Sequence, residues 1–270
     1  MKQSQILTLI LLLTTGHGMH ASNQEPAMEH ENWYGTCSPK TCPSPFDDLI
    51  FGDDDQLQFH GGSCKEWVNH RIDERGNTLL HDATSDNNIQ RVKKLIELNA
   101  EVNLENKYNN TPLHLAIYNN NEQIARLLLA AGAEVNQKNQ NGNTPLHSAG
   151  HKTIQLLLAA GANVNQQGND GNTPLHWAIN CNSEQRVQLL LASGANLNQK
   201  NNLGNTPLHW AVQYSRHELF QLLLEAGADT NIRNQHGHTA REYAINEAIL
   251  EFFDEAQTAT QNNNSRCSIS

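Results

Sequence analysis

The sequence predicts an all-α repeat solenoid, and three observations carry that expectation. Thr78, Thr111, Thr144, Thr173, Thr206 and Thr239 stand in matching contexts, spaced by 33, 33, 29, 33 and 33 residues. Leu-Leu-His follows the first and Pro-Leu-His the next four, ending at His81, His114, His147, His176 and His209. Further along lie an Ala, a leucine run and a Gly-Ala pair, as in Ala116, Leu127-Leu128-Leu129 and Gly132-Ala133. A fixed period of this length marks stacked units that bury a continuous core only through their neighbours.

Each element of the unit has a physical reason. Thr carries an oxygen that caps the first unpaired amides of a helix, and Pro loses nothing at the next position, where the amide has no intrahelical partner. A first helix therefore starts at each Thr-Pro. Its Leu and Ala face inward, and the leucine run builds a second, antiparallel helix against it. Gly132, Gly161, Gly194 and Gly227 then terminate the second helix in the left-handed conformation that glycine adopts at little cost, with Asn99 as their counterpart in the first unit. A Val-Asn pair or a variant of it closes each unit at Asn103, Asn136, Asn165, Asn198 and Asn231, and the polar stretch beyond, such as 137–143, carries turn residues. The unit expected is a β-hairpin finger followed by two antiparallel helices.

Two units depart from the pattern. In the sixth, Thr239-Ala240-Arg241-Glu242-Tyr243-Ala244 lacks the Pro, Leu and His and is expected to act as the C-terminal cap. The third is four residues short, with the loss falling between Ala149 and Leu156, where the second unit has Asn119 to Glu122. Four residues approximate one helical turn, so stacking is expected to continue past a local notch or kink, unless the deletion is simply neutral.

This pattern resembles the ankyrin repeat over Asp73 to about Glu255, in six units. The resemblance implies that the helix pairs stack into a slightly curved solenoid whose fingers and first helices form a concave face, used to bind other proteins. It also implies that the five motif histidines are structural, hydrogen-bonding around the Thr and the neighbouring loop.

The flanks differ from the array. Lys2, the apolar run Ile6–Leu13 and the small residues Gly16, Gly18 and Ala21 read as a secretory signal over 1–21. The run is far short of the roughly 20 apolar residues of a membrane span, so no membrane insertion is expected after cleavage. Residues 22–72 hold nine acids and three bases, whereas 73–244 are nearly balanced with 15 acids and 13 bases. The 270-residue chain carries a net charge of -10 and no basic cluster, which argues against nucleic-acid binding. Residues 256–270 lack apolar periodicity and are expected to form a disordered tail.

The acidic segment 22–72 is expected to be an irregular N-terminal region. Export exposes its Cys37, Cys42 and Cys64 to oxidants, and together with Cys267 they form the disulfide candidates, with three possible connectivities. Cys181 is expected to stay free. Zinc on the three cysteines with His60 or His70 is the competing reading, weakened by the wide Cys-x4-Cys spacing and the lack of a second close pair.

Catalytic signatures are scarce. His217-Glu218-Leu219-Phe220-Gln221 begins like a zinc-protease helix but has Gln221 where a second His ligand is needed. The run Asp53-Asp54-Asp55 lacks the alternate spacing and closing Glu of a calcium loop and reads as solvated charge. His236-x-His238 offers two ligands on an exposed finger, too few to assign a metal. No enzyme activity, cofactor or metal is therefore expected.

What remains is a recognition surface. Asn110, Asn143, Asn172, Asn205 and His238, which precede the motif threonines, join Lys107, Tyr108, Gln140, Asp170, Leu203 and His236 from the fingers and Tyr118, Trp177, Trp210 and Tyr214 from the first helices. Amide hydrogen bonds beside aromatic anchors suit a protein interface. Against this, Trp177 and Trp210 follow the motif His directly and can pack between inner helices, and the Asn residues can be turn formers. The expectation is a monomeric, secreted or periplasmic scaffold of bacterial origin that binds another protein without catalysis, an effector acting on a host protein being one version of it. The alternatives are a periplasmic accessory protein in oxidative-stress defence, a role the resemblance permits, and a metal-binding or enzymatic N-terminal region attached to the array.

Overall fold

A computed structural model describes residues 68–244 together with Leu250 and Phe253. The expected signal 1–21, Cys37, Cys42, Cys64, His60, the Asp53 run, Cys267 and the expected tail lie outside the described residues. Among the described residues ten helices fall into five antiparallel pairs: α1 (Leu79–Ser85) with α2 (Ile89–Glu97), α3 (Pro112–Tyr118) with α4 (Glu122–Ala130), α5 (Pro145–Ser148) with α6 (His151–Ala159), α7 (Pro174–Asn180) with α8 (Glu184–Ala192), and α9 (Pro207–Gln213) with α10 (His217–Glu225). A short 3-10 helix, Ala240–Tyr243, follows at the position of the next inner helix.

The first helix of each pair starts where the sequence places it. Thr78, Thr111, Thr144, Thr173 and Thr206 are N-caps in extended backbone, and each closes a reciprocal capping box with the His three residues on. The Thr side chain receives the His amide, and the His ring receives the Thr amide. Four of these helices carry Pro in the first turn. Helices this short are marginal alone, so their stability comes from packing. Leu113, Ile117, Ile124, Leu128, Leu175, Ile179, Val187 and Leu190 are fully buried between the pairs, and Phe220 meets Phe253 edge-on at 4.8 Å.

The fingers differ from expectation. They contain no β-strand among the described residues, only isolated bridges between Arg71 and Thr78 and between Arg233 and Thr239. Each finger is a tight turn closed by two main-chain bonds, for example Asn201 N to Asn205 O at 2.9 Å and Gly204 N to Asn201 O at 2.8 Å. Its arms are too short to build a ladder, and other amides donate to the preceding finger or to Asn side chains.

Three rows of side-chain bonds join consecutive units. The motif His Nε2–H donates to the main-chain carbonyl of the next finger, at Asn110, Asn143, Asn172, Asn205 and His238, over 2.9 to 3.2 Å. In the Val-Asn motif, Asn103, Asn136 and Asn165 each donate to a helix-terminating glycine carbonyl of the next unit and accept the amide two residues beyond it. Finally, Asn106, Asn139, Asn201 and Asn234 donate across to Asn77, Asn110, Asn172 and Asn205. Gly168 interrupts this last row between the third and fourth units, opposite Asn143.

That third unit is where the missing residues show. Its inner helix α5 has four residues instead of seven, Ala149 turns extended at φ -64° and ψ 131°, and Gly150 becomes the N-cap of a complete nine-residue α6. Gly150 takes the place of Asn121, so the absent residues are the counterparts of Ile117–Asn120 rather than of Asn119–Glu122. The second helix stays whole because the turn and the end of the inner helix absorb the loss.

The 3-10 turn at Thr239 keeps the capping box but replaces His with Glu242, whose carboxylate accepts the Thr239 amide at 2.6 Å. That hydrogen bond, helped by Arg233, holds the Glu242 carboxyl below its usual range. Glu242 closes the cap without the second bond that each motif His makes to the next finger, as His209 does to His238 O. Among the described residues no helix is long and apolar enough to cross a membrane.

Candidate functional site

The candidate face is built from the finger tips and the exposed side of the inner helices. Each tip donates one main-chain bond to the tip before it: Lys107 N to Arg75 O, Gln140 N to Tyr108 O, Asn169 N to Asn141 O, Asn202 N to Asp170 O and Gln235 N to Leu203 O, all between 2.8 and 3.0 Å. Arg75, Tyr108, Asn141, Asp170, Leu203 and His236 therefore follow one another along a single row. One residue later a glycine holds the turn in five of the six tips and Asn109, at φ +55°, in the other; Gly204 shows why, with φ +75° and a Cβ that would lie 2.7 Å from the Gln235 amide.

The anticipated residues divide by accessibility. Lys107, Tyr108, Tyr118, Gln140, Asp170, Leu203, Tyr214, His236 and His238 are exposed, and Asn110, Asn143, Trp177 and Trp210 are half-buried. Asn172 and Asn205 are buried, and their side chains accept from Asn201 and Asn234, so both serve the stack. Trp210 packs edge-on against the His176 ring of the preceding unit at 5.3 Å and against Tyr214 at 5.6 Å. It is at once a packing residue and part of the inner face. Sequence reasoning missed Arg75 and Asn141, which the same 33-residue spacing places in the tip row beside Tyr108.

The motif histidines do not form a reactive site. His81, His147, His176 and His209 are almost wholly inaccessible and His114 nearly so. A main-chain N–H can only donate, so Nδ1 of each ring is the acceptor for the Thr amide, at 3.0 to 3.2 Å. Nε2 then carries the proton and donates to the next finger. Burial pushes His114, His147 and His176 down to about 4, and lowers His81 and His209 too, against the opposing effect of their carbonyl bonds. The rings are thus neutral at physiological pH with both nitrogens engaged.

Cys181, the C-cap of α7, is free and exposed. The His236 and His238 rings lie 6.5 Å apart, and no group of three or more metal-ligating side chains occurs among the described residues.

Comparison with known proteins agrees with this architecture. The family described as Ankyrin repeats (3 copies) matches residues 56–139, 80–167, 131–201, 148–234 and 182–262. The search of curated proteins returns no match. The family matches together span well over half of the sequence and coincide with the stacked helix pairs and their bonded fingers, so the chain belongs to the ankyrin-repeat family.

Proposed function

We propose that this protein is an exported, non-catalytic scaffold that grips another protein with its finger tips and inner helices. Ankyrin repeats are generally protein–protein interaction modules. The observation that carries the reading here is the distribution of exposed apolar surface. The large hydrophobic side chains exposed among the described residues are Tyr108 (51%), Tyr118 (79%), Leu203 (56%) and Tyr214 (40%). Two lie on finger tips and two at the C-terminal ends of inner helices; none lies on α2, α4, α6, α8 or α10. Solvent-facing aromatic rings gathered on one side supply rigid area for a partner to bury. Polar neighbours such as Lys107, Gln140 and Asp170 form the rim.

Affinity capture from the exported fraction tests this reading. The native chain is expected to retain a partner that the Tyr108→Ala, Tyr118→Ala, Tyr214→Ala variant loses, with a roughly tenfold or greater drop in retained material, since hot-spot aromatics each contribute on the order of 1–2 kcal/mol. All three side chains are solvent-exposed, so the variant is expected to keep native circular dichroism. Equal capture by both proteins would count against the inner face.

A further inference from the structure

We infer that the notch in the third repeat is a receptor for the acidic side chain of an extended partner segment, read by Arg186. Arg186 is the third residue of α8, where α4 carries the fully buried Ile124. Only 9% of it is exposed. Its guanidinium reaches back to the shortened repeat and donates to the His147 carbonyl at 3.1 Å, a group left without an intrahelical partner because α5 stops at Ser148. Its Nε–H has no partner at all. None of the ion pairs among the described residues includes it.

The array contains its own control. Arg91 is the third residue of α2 and occupies the same place in the first repeat. There the guanidinium bonds the Asp82 carboxylate at 2.9 Å and lies 4.0 Å from Asp86. The positions equivalent to Asp82 and Asp86 in the fourth repeat hold Trp177 and Cys181, neither of which is a carboxylate. The same cation thus stands at the same site with its carboxylates removed, beside the neighbouring repeat that lacks a turn. Trp177 adds a second buried N–H without a partner, at Nε1.

A nearly buried guanidinium with one carbonyl partner retains most of its desolvation cost, and a carboxylate offsets it with charge-assisted bonds. At the helix tips a Cβ on Gly150 would lie 2.5 Å from Asn120 Oδ1, so the Asn120 side chain borders the shortened turn that Arg186 reaches. A small free acid would have few other contacts there, whereas a peptide carboxylate brings flanking backbone to rest against Trp177 and the Tyr118–Asn120 turn. The site is separate from the finger tips and its test needs no natural partner.

The test is a titration of the 15N-labelled folded chain, following the Arg Nε–H resonances. The probes are Ac-(Gly-Glu)4-NH2, its Gln counterpart, sodium acetate and sodium chloride at one ionic strength. The Glu peptide is expected to shift Arg186 Nε–H saturably, roughly threefold or more beyond the Gln peptide, while Arg91 stays unmoved. Arg186→Met removes the signal and the peptide's effect on neighbouring amides. Cys181→Asp, at an exposed cap, restores an internal carboxylate and is expected to reduce the response by about half or more. No shift, an equal shift with the Gln peptide or chloride, or an undiminished response in Cys181→Asp would overturn the inference. A full shift with acetate at equal carboxylate concentration would overturn the peptide source in favour of a free acid.

Discussion

Acidification from about pH 7 to about pH 4.5 is expected to unfold the array well before its exposed carboxylates are half protonated. The cause is the row of buried imidazoles. His114, His147 and His176 bind a proton only near pH 4 when folded but near 6.5 when unfolded. Between those values the unfolded chain binds more protons, so stability falls as the pH falls. Their contribution is intact above about pH 6.5 and is lost progressively towards 4. At about 1.4 kcal/mol per unit, each of the three removes on the order of 3 kcal/mol by the end of that window. His81 and His209 act in the same direction. Nearby charges only trim the effect: Glu105 raises His114 and Lys138 lowers His147. The whole stability of a domain is about 5–15 kcal/mol, so the sum is comparable to everything that holds the array together. Urea midpoints followed by circular dichroism should be level from about pH 7 to 9 and drop steeply below about 6. A level midpoint down to about pH 4.5 would show that these rings are not buried neutral donors.

Replacing His176 with Ala is expected to cost about 3–5 kcal/mol, the largest effect of any single substitution. One ring accepts the Thr173 amide at 3.2 Å and stands 2.9 Å from the Thr173 hydroxyl. It also donates to Asn205 O at 3.2 Å and supports the Trp210 ring. Truncation leaves a buried amide and a buried carbonyl unpaired on two different repeats and opens a cavity between them. His236→Ala, at an exposed finger tip, is expected to change stability by less than about 0.5 kcal/mol. Chemical denaturation of the two variants checks the contrast, and similar losses would refute the bridging role.

Much of this architecture was legible because each unit repeats its boundary chemistry. Thr, Pro and His mark the N-terminus of each inner helix by mechanisms that act within four residues, and the glycines mark the ends of the outer helices just as locally. The finger was misjudged for a complementary reason. Its turn residues are indeed those of a hairpin, but the partner for Gln140 N is Tyr108 O on the neighbouring finger, a relation no local pattern shows. Asn172 and Asn205 likewise look like Asn143 in sequence, yet Asn201 and Asn234 cover them, while Gly168 leaves Asn143 without such a partner. Arg186 was invisible as a site because its significance lies in what surrounds it. Only the stacked structure sets it beside the broken end of α5, and only then does the comparison with Arg91 and Asp82 acquire meaning.

On the proposed function, one side of the stack, made of finger tips and inner helices, meets the partner. Site-specific photocrosslinking in the exported fraction tests it directly, with a photoreactive residue placed at Tyr108 or Tyr214 on the inner side and at Gln188 or Gln221 on α8 and α10. A common crosslinked partner is expected from Tyr108 and Tyr214 and none from Gln188 or Gln221. Crosslinks formed from the outer helices, with Tyr108 and Tyr214 silent, would contradict it.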